Sequence, residues 1–168
     1  MKISLWAGDI TEAPAEVICT STNPRLSLMM GTGGSVRERG GWEILRECEA
    51  IVALSLQDSL PAGSAHITRA GSLPYKAIIH CVASDASHRS SEAIVERCVR
   101  SALAKAEAIA CRTLAMPAFA TGHAHLKFDR VLEAMLKVLR GADSSLQEVL
   151  IVVNDEEQAA EARQLLRS

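Results

Sequence analysis

Aromatic side chains are almost missing from this chain: Phe, Tyr and Trp together make up 3% of its 168 residues. A core of ordinary size must therefore be filled by Leu, Ile, Val and Ala. An excess of either charge is missing too. Eighteen Lys and Arg stand against twenty Asp and Glu, a formal net charge of −2 with no run of like sign. That excludes the basic stripe with which a protein tracks a phosphate backbone, so bulk nucleic-acid binding is not expected. No segment approaches the ~20 apolar residues of a membrane helix, and Met1 to Ala13 contains no long apolar run, so no membrane is expected either. The five cysteines (Cys19, Cys48, Cys81, Cys98, Cys111) are odd in number and lack the close spacing of a zinc or redox motif. They read as small buried hydrophobes in a reduced, cytoplasmic protein. What remains open is one small phosphorylated ligand held by backbone amides.

Stretches rich in β-branched residues fall at Ile3–Ala7, Glu16–Thr20, Ala65–Ala70, Ala77–Val82, Thr113–Met116 and Glu148–Val153. Helical spacing falls between them, at Trp42–Leu56, Ser91–Ala110, Phe128–Leu139 and Glu156–Leu166. Gly141 stands where a C-cap belongs and Asp155 where an N-cap does. Strands alternating with helices of this length need crossover connections. The expected fold is α/β, a three-layer α/β/α sandwich around a mixed, largely parallel central sheet. With no repeat, low-complexity stretch or long linker, residues 1–168 are expected to form one domain. Trp6 and Trp42 are expected to be packing residues.

In such sheets ligands settle beyond the carboxyl ends of the strands, and three turns there carry unusual chemistry. Gly8-Asp9-Ile10-Thr11 follows the first strand. The Asp9 carboxylate can accept from an exocyclic amine while the Ile10 N–H donates to a ring nitrogen, which suits adenine; an Asp that only fixes the turn is the alternative. Met30-Gly31-Thr32-Gly33-Gly34-Ser35 is the second. Its glycines let amides approach a phosphate, and a helix start beyond them adds its dipole. Its spacing fits neither a Walker loop nor a Rossmann fingerprint, and a plain flexible loop is the alternative. The third, Ala120-Thr121-Gly122-His123-Ala124-His125, again frees amides beside small residues, and Thr121 adds a hydroxyl. His123 and His125 are spaced like a metal pair, but no third ligand accompanies them, so neither a metal nor a cofactor is expected.

Taken in order, several pieces resemble the macro domain family from Ile3 to about Leu165. They are Gly8-Asp9-Ile10-Thr11, Glu16-Val17-Ile18 leading to Thr22-Asn23, the glycine run, Leu73-Pro74-Tyr75-Lys76-Ala77-Ile78-Ile79-His80, and Met116-Pro117-Ala118-Phe119-Ala120-Thr121-Gly122. The resemblance implies an ADP-ribose cleft across the top of a mixed sheet. Asp9 would hold the adenine amine, with a backbone contact from Ile10. Gly33, Gly34, Ser35 and Val36 would form the first pyrophosphate loop, and Thr121, Gly122, His123 and Ala124 the second. Asn23 would sit by the distal ribose, and His80 would be structural. Where some members stack an aromatic ring on adenine, this chain offers Asn154 and Asp155.

Hydrolase members usually carry Asn-Ala-Ala-Asn and a longer glycine run followed by Val and Asp. Here Thr20-Ser21-Thr22-Asn23 and Gly33-Gly34-Ser35-Val36-Arg37 stand in those places, and Arg37 is no general base at neutral pH. Another hydrolase branch has an Asp where this chain has Ala124. The run from Gly33 to Gly41 resembles the variant-histone macro domain instead, which binds without cleaving. The expected function is therefore binding of ADP-ribose or a related nucleotide, free or attached to a partner protein. The alternative is an ADP-ribosyl hydrolase or O-acetyl-ADP-ribose deacetylase with water activated by Glu38, His123 or His125. A third possibility is a diverged macro fold whose ligand is altered or lost, toward which the missing aromatic, Thr20 and the His-Ala-His loop point. Arg25, Arg37 and Arg39 flank the glycine run and could help with phosphate, though exposed arginines are ordinarily solvated.

Overall fold

A computed structural model of the chain describes residues 1–122 and 124–167. Six strands, β1 (Lys2–Ala7), β2 (Val17–Thr22), β3 (Ala65–Thr68), β4 (Ala77–Val82), β5 (Thr113–Pro117) and β6 (Glu148–Val153), form one sheet in the order β1-β6-β5-β2-β4-β3. All neighbours run parallel except β3 and β4. Five helices flank it: α1 (Gly31–Gly40), α2 (Trp42–Ala53), α3 (Glu92–Ala108), α4 (Phe128–Gly141) and α5 (Glu156–Arg167). This is the three-layer sandwich that the alternation of strands and helices implied. Among the described residues no helix is long and apolar enough to cross a membrane.

The period of two along each strand sorts the core into two layers. Val17, Cys19, Ile79, Cys81, Leu114, Met116, Val149 and Ile151 pack against α3, α4 and α5. Ile18, Ile78, Ala115, Leu150 and Val152 pack under Val36 of α1 and Ile44 and Cys48 of α2. All five cysteines are free and buried, and burial pushes the Cys48 thiol up to about 12. They fill space, as expected of small apolar groups.

Four expectations need correction. The glycine run is not a loop but the first turns of α1, although Gly31, Gly33, Gly34 and Gly40 lower its helix propensity. Packing overrides propensity there: Val36 is fully buried, and a Cβ on Gly33 would sit 3.1 Å from both Cα and Cδ2 of Leu28. Trp42 is 59% exposed rather than packed, with the Arg46 guanidinium 5.0 Å from its ring centre. Gly141 is the last residue of α4, and Ala142 caps it in extended backbone, so no left-handed residue is needed. The helix from Trp42 ends at Ala53, short of Leu56. Asp155 does cap α5, accepting from the Gln158 N–H at 3.0 Å.

His80 lies in β4 on the α1/α2 side, fully buried, between Thr20 Oγ1 at its Nδ1 (2.8 Å) and Thr68 Oγ1 at its Nε2 (2.9 Å). Thr68 donates its hydroxyl proton to the Arg69 carbonyl, so His80 must donate from Nε2 and accept the Thr20 proton at Nδ1. The ring is thereby fixed neutral, and burial, with the nearby His66, holds its pKa down at about 3. Above pH ~6.5 both folded and unfolded rings are neutral; below it only the unfolded ring takes a proton. Stability should thus fall by about 1.4 kcal/mol per pH unit as pH drops from ~6.5 toward 3. Urea melts between pH 7 and 4.5 should show that slope in the native protein and a flatter one in His80→Gln. Parallel slopes would remove the neutral buried imidazole from this account.

Candidate functional site

The chain leaves β2 for β4 by way of α1 and α2 on one face, then returns by α3 on the other face to β5, on the opposite side of β2. That reversal is the topological switch at which open α/β sheets form their crevice. β2 and β5 pair only at Val17 with Leu114 and Ile18 with Ala115, so their carboxyl ends splay apart. Above them opens a cleft of about 970 Å³, lined from the ends of β1, β6, β5, β2 and β4.

At the β1/β6 end, Asp9 caps a short 3₁₀ turn over Ile10–Glu12. Its Oδ1 accepts from the Thr11 N–H at 2.8 Å and from the Thr11 hydroxyl, and its Oδ2 accepts from Ser35 Oγ at 2.9 Å. A carboxylate has about four acceptor positions, so one remains on Oδ2. Partial burial raises the pKa of Asp9, but the bonds from Thr11 and Ser35, with the nearby Arg39, outweigh it and hold the carboxyl below its ordinary value. The turn-fixing alternative for Asp9 is therefore realised, and the same geometry leaves an ionised carboxylate edge on the cleft. Ile10, only 2% exposed, and Asn154 line the same end.

In the middle, the start of α1 faces the segment after β5. Met30 is the N-cap of α1 and makes no side-chain cap, and the first helical bond is Gly34 N–H to the Met30 carbonyl at 3.1 Å. The N–H groups of Gly31, Thr32 and Gly33 thus precede the helical ladder, and among the described residues none has a protein acceptor. Thr32 Oγ1 accepts from the Ser21 N–H at 3.2 Å, which ties the helix start down over β2. Opposite, the Ala120 N–H donates to Ser21 Oγ at 3.2 Å and Ala120 takes a left-handed φ of 62°. The amides of Thr121 and Gly122 likewise have no acceptor among the described residues. Two sets of free donors flank one crevice.

Gly31, Thr32 and Ser35 line the cleft, whereas Gly33, Gly34 and Val36 do not: Gly33 is buried against Leu28, Gly34 has used its N–H, and Val36 is core. The Ser35 hydroxyl is committed to Asp9. In the second segment Thr121, Gly122, Ala124 and His125 line the cleft, and His123 lies outside the described residues. Glu38 is exposed on α1 and is not among the lining residues. Among the described residues no His, Cys, Asp and Glu group could hold a metal ion.

The β2/β4 end was not anticipated from the sequence, apart from Asn23. Asn23 Oδ1 accepts from the N–H groups of Arg25 and Ser27, at 3.0 and 3.2 Å, leaving its NH₂ group for a ligand. Ala83, Ser84 and His88 form the adjoining wall, in a turn clamped by Asp85, whose Oδ1 accepts from the Ser87 and Arg89 N–H groups. The signal was present: Ser84-Asp85-Ala86-Ser87 is a polar turn directly after a strand, on the same edge as the others.

Fold and cleft together define a three-layer α/β/α protein with a long groove over its parallel strand ends, bordered by unpaired main-chain amides. The macro domain model matches residues 19–135, and the chain belongs to that family. It is 33% identical over 156 residues to a macro domain-containing protein of Streptomyces coelicolor, covering 91% of each. It is 34% identical over 123 residues to an O-acetyl-ADP-ribose deacetylase of Enterobacter cloacae, covering 72% of this chain and 67% of that one. Among solved structures, a macrodomain variant of Oceanobacillus iheyensis with ADPR is similar at a TM-score of 0.88 and 24% identity, over 98% of this chain and 90% of that one. A Trypanosoma brucei macrodomain in complex with ADP-ribose superposes at 0.84 and 20% identity, over 98% and 68%. These structural likenesses bear on the fold.

Proposed function

We propose that the cleft binds ADP-ribose, free or attached to a protein, with adenine at the Asp9 end, the diphosphate between the α1 start and Thr121–Gly122, and the distal ribose by Asn23. The observation that carries this reading is the convergence of unpaired amides from Gly31, Thr32, Thr121 and Gly122 on one crevice. Charge-assisted bonds of that kind contribute ~1.5–3 kcal/mol each. The helix dipole adds to them. The solved macrodomains with ADPR and ADP-ribose supply the ligand class.

Calorimetric titration should show ADP-ribose binding and much weaker binding of ribose 5-phosphate. Asp9→Ala should weaken the former roughly tenfold, ~1.4 kcal/mol. No heat with ADP-ribose would sink the reading, and unchanged affinity in Asp9→Ala would sink the adenine placement. A deacetylase reading has two supports, the Enterobacter cloacae relative's name and the position of His125 on the cleft. Release of acetate from O-acetyl-ADP-ribose that is lost in His125→Ala would establish it; no release at high enzyme concentration leaves binding alone.

A further inference from the structure

Where the chain runs from the Asn23–Ser27 turn to the start of α1, the rim of the cleft changes character. Met29 and Met30 line the mouth yet are 65% and 62% exposed, whereas Met116 and Met135 are wholly buried. Exposed thioethers are flexible, polarisable contacts suited to varied apolar partners. Two arginines bracket them. Arg37 Nη1 donates to Met29 Sδ at 3.4 Å, and Arg25 stands in the turn between the cleft-lining Asn23 and Ser27. Neither joins an ion pair among the described residues, although Arg39, Arg69, Arg112 and Arg130 each meet a carboxylate. Asp85, the nearest acid of the adjoining wall, is taken by Arg89 at 3.2 Å. Asp9 is the one carboxylate among the cleft-lining residues, and it lies at the opposite end.

We propose that Met29 and Met30, flanked by Arg25 and Arg37, form the docking surface for an acidic polypeptide segment that carries the ADP-ribose group on one of its side chains. This rests on the nucleotide reading above and names the carrier. An apolar lip with a cationic side chain on either flank complements a chain whose Glu or Asp residues flank the modified position, and Glu38, exposed beside Arg37, is the one acidic residue between Asn23 and Gly41. The apolar lip joins the Asn23–Ser27 turn, by which the distal ribose and hence the attachment point would lie, to the start of α1.

The test is calorimetric titration of native protein and the Arg25→Glu/Arg37→Glu variant with three ligands. These are free ADP-ribose, a peptide with one ADP-ribosylated serine flanked by glutamates, and the same peptide flanked by lysines. Free ADP-ribose should still bind the variant, which reports that it folds, and any loss from the reversed charges is shared by all three ligands, so each peptide is scored by its affinity relative to free ADP-ribose in the same protein. The native protein should prefer the Glu-flanked peptide about fivefold, the scale of two exposed ion pairs. The variant should reverse that order, and raised salt should shrink both differences. Equal binding of the two peptides by a protein that still binds free ADP-ribose overturns the docking surface alone. Failure to bind free ADP-ribose overturns the nucleotide reading and this proposal with it.

Discussion

Replacing Met30 with Asp should make the protein more stable and nearly abolish its binding of ADP-ribose. Met30 is the N-cap of α1, with the extended backbone that a capping residue adopts (φ −144°, ψ 169°) and no cap of its own. An Asp there can accept from the unpaired amides of the first turn and places a negative charge at the positive end of the helix. The gain should be about 1 kcal/mol in urea denaturation. The same carboxylate would occupy the donors proposed for the diphosphate and repel it. Two unit charges ~4 Å apart interact by about 4 kcal/mol at an effective dielectric of 20. A loss of at least about hundredfold, some 2.7 kcal/mol, is the expected result by calorimetry. Met30→Asn separates the two causes: it caps without the charge, so it should keep most of the stability and lose less affinity. If Met30→Asp stabilises the protein and binds ADP-ribose as the native chain does, the helix start is not a phosphate site.

Opposite signs on stability and binding explain why the helix was hidden in the sequence. A stretch with four glycines, no capping side chain and no apolar stripe looks like a loop, because each of those features weakens an isolated helix. What makes it helical lies elsewhere in the chain, in Leu28 pressing on Gly33 and in the layer that buries Val36. β4 and β6, by contrast, were legible to the residue, since Ala77–Val82 and Glu148–Val153 are apolar runs bounded by turn residues. The three turns after β1, β2 and β5 were legible because strand ends in an open sheet are where ligands settle. Which amides among them stay free was not, because that depends on where the helical ladder begins. Because the ladder begins at the Gly34 N–H, the expected donors move back two residues, from Gly33 and Gly34 to Gly31 and Thr32. The wall at Ala83, Ser84 and His88 escaped notice for a different reason: its polar turn after β4 carries no glycine run or other ligand-like pattern, and only the β2–β4 pairing sets it beside Asn23.

The largest loss of stability from a single methyl group is expected at Gly71. It has a left-handed φ of 57°, and a Cβ there would lie 2.1 Å from the Gly40 carbonyl oxygen and 3.0 Å from its carbon. The Ser72 N–H donates to that same oxygen at 2.9 Å, so the turn is locked against the last residue of α1. The obstacle is backbone, which cannot swing aside as a side chain would. Left-handed backbone costs a residue with a Cβ roughly 1–2 kcal/mol, and overpacking adds about 1–3 kcal/mol. Gly71→Ala should therefore lower the unfolding free energy by about 3 kcal/mol, read as a shift in the urea midpoint at unchanged slope. Gly141→Ala is the matched control, since a Cβ there meets nothing within 4 Å and Ala is the better helix former, so a gain of up to about 1 kcal/mol is expected. The loss should reach the cleft as well. Any shift at Gly40 moves the far end of the helix whose start borders the groove, so Gly71→Ala should bind ADP-ribose more weakly even where it is fully folded. If Gly71→Ala melts with the native protein, the close approach of the turn to Gly40 is not a feature of the folded state. If it is destabilised but binds ADP-ribose unchanged, α1 is not the rigid rod that links this packing to the site.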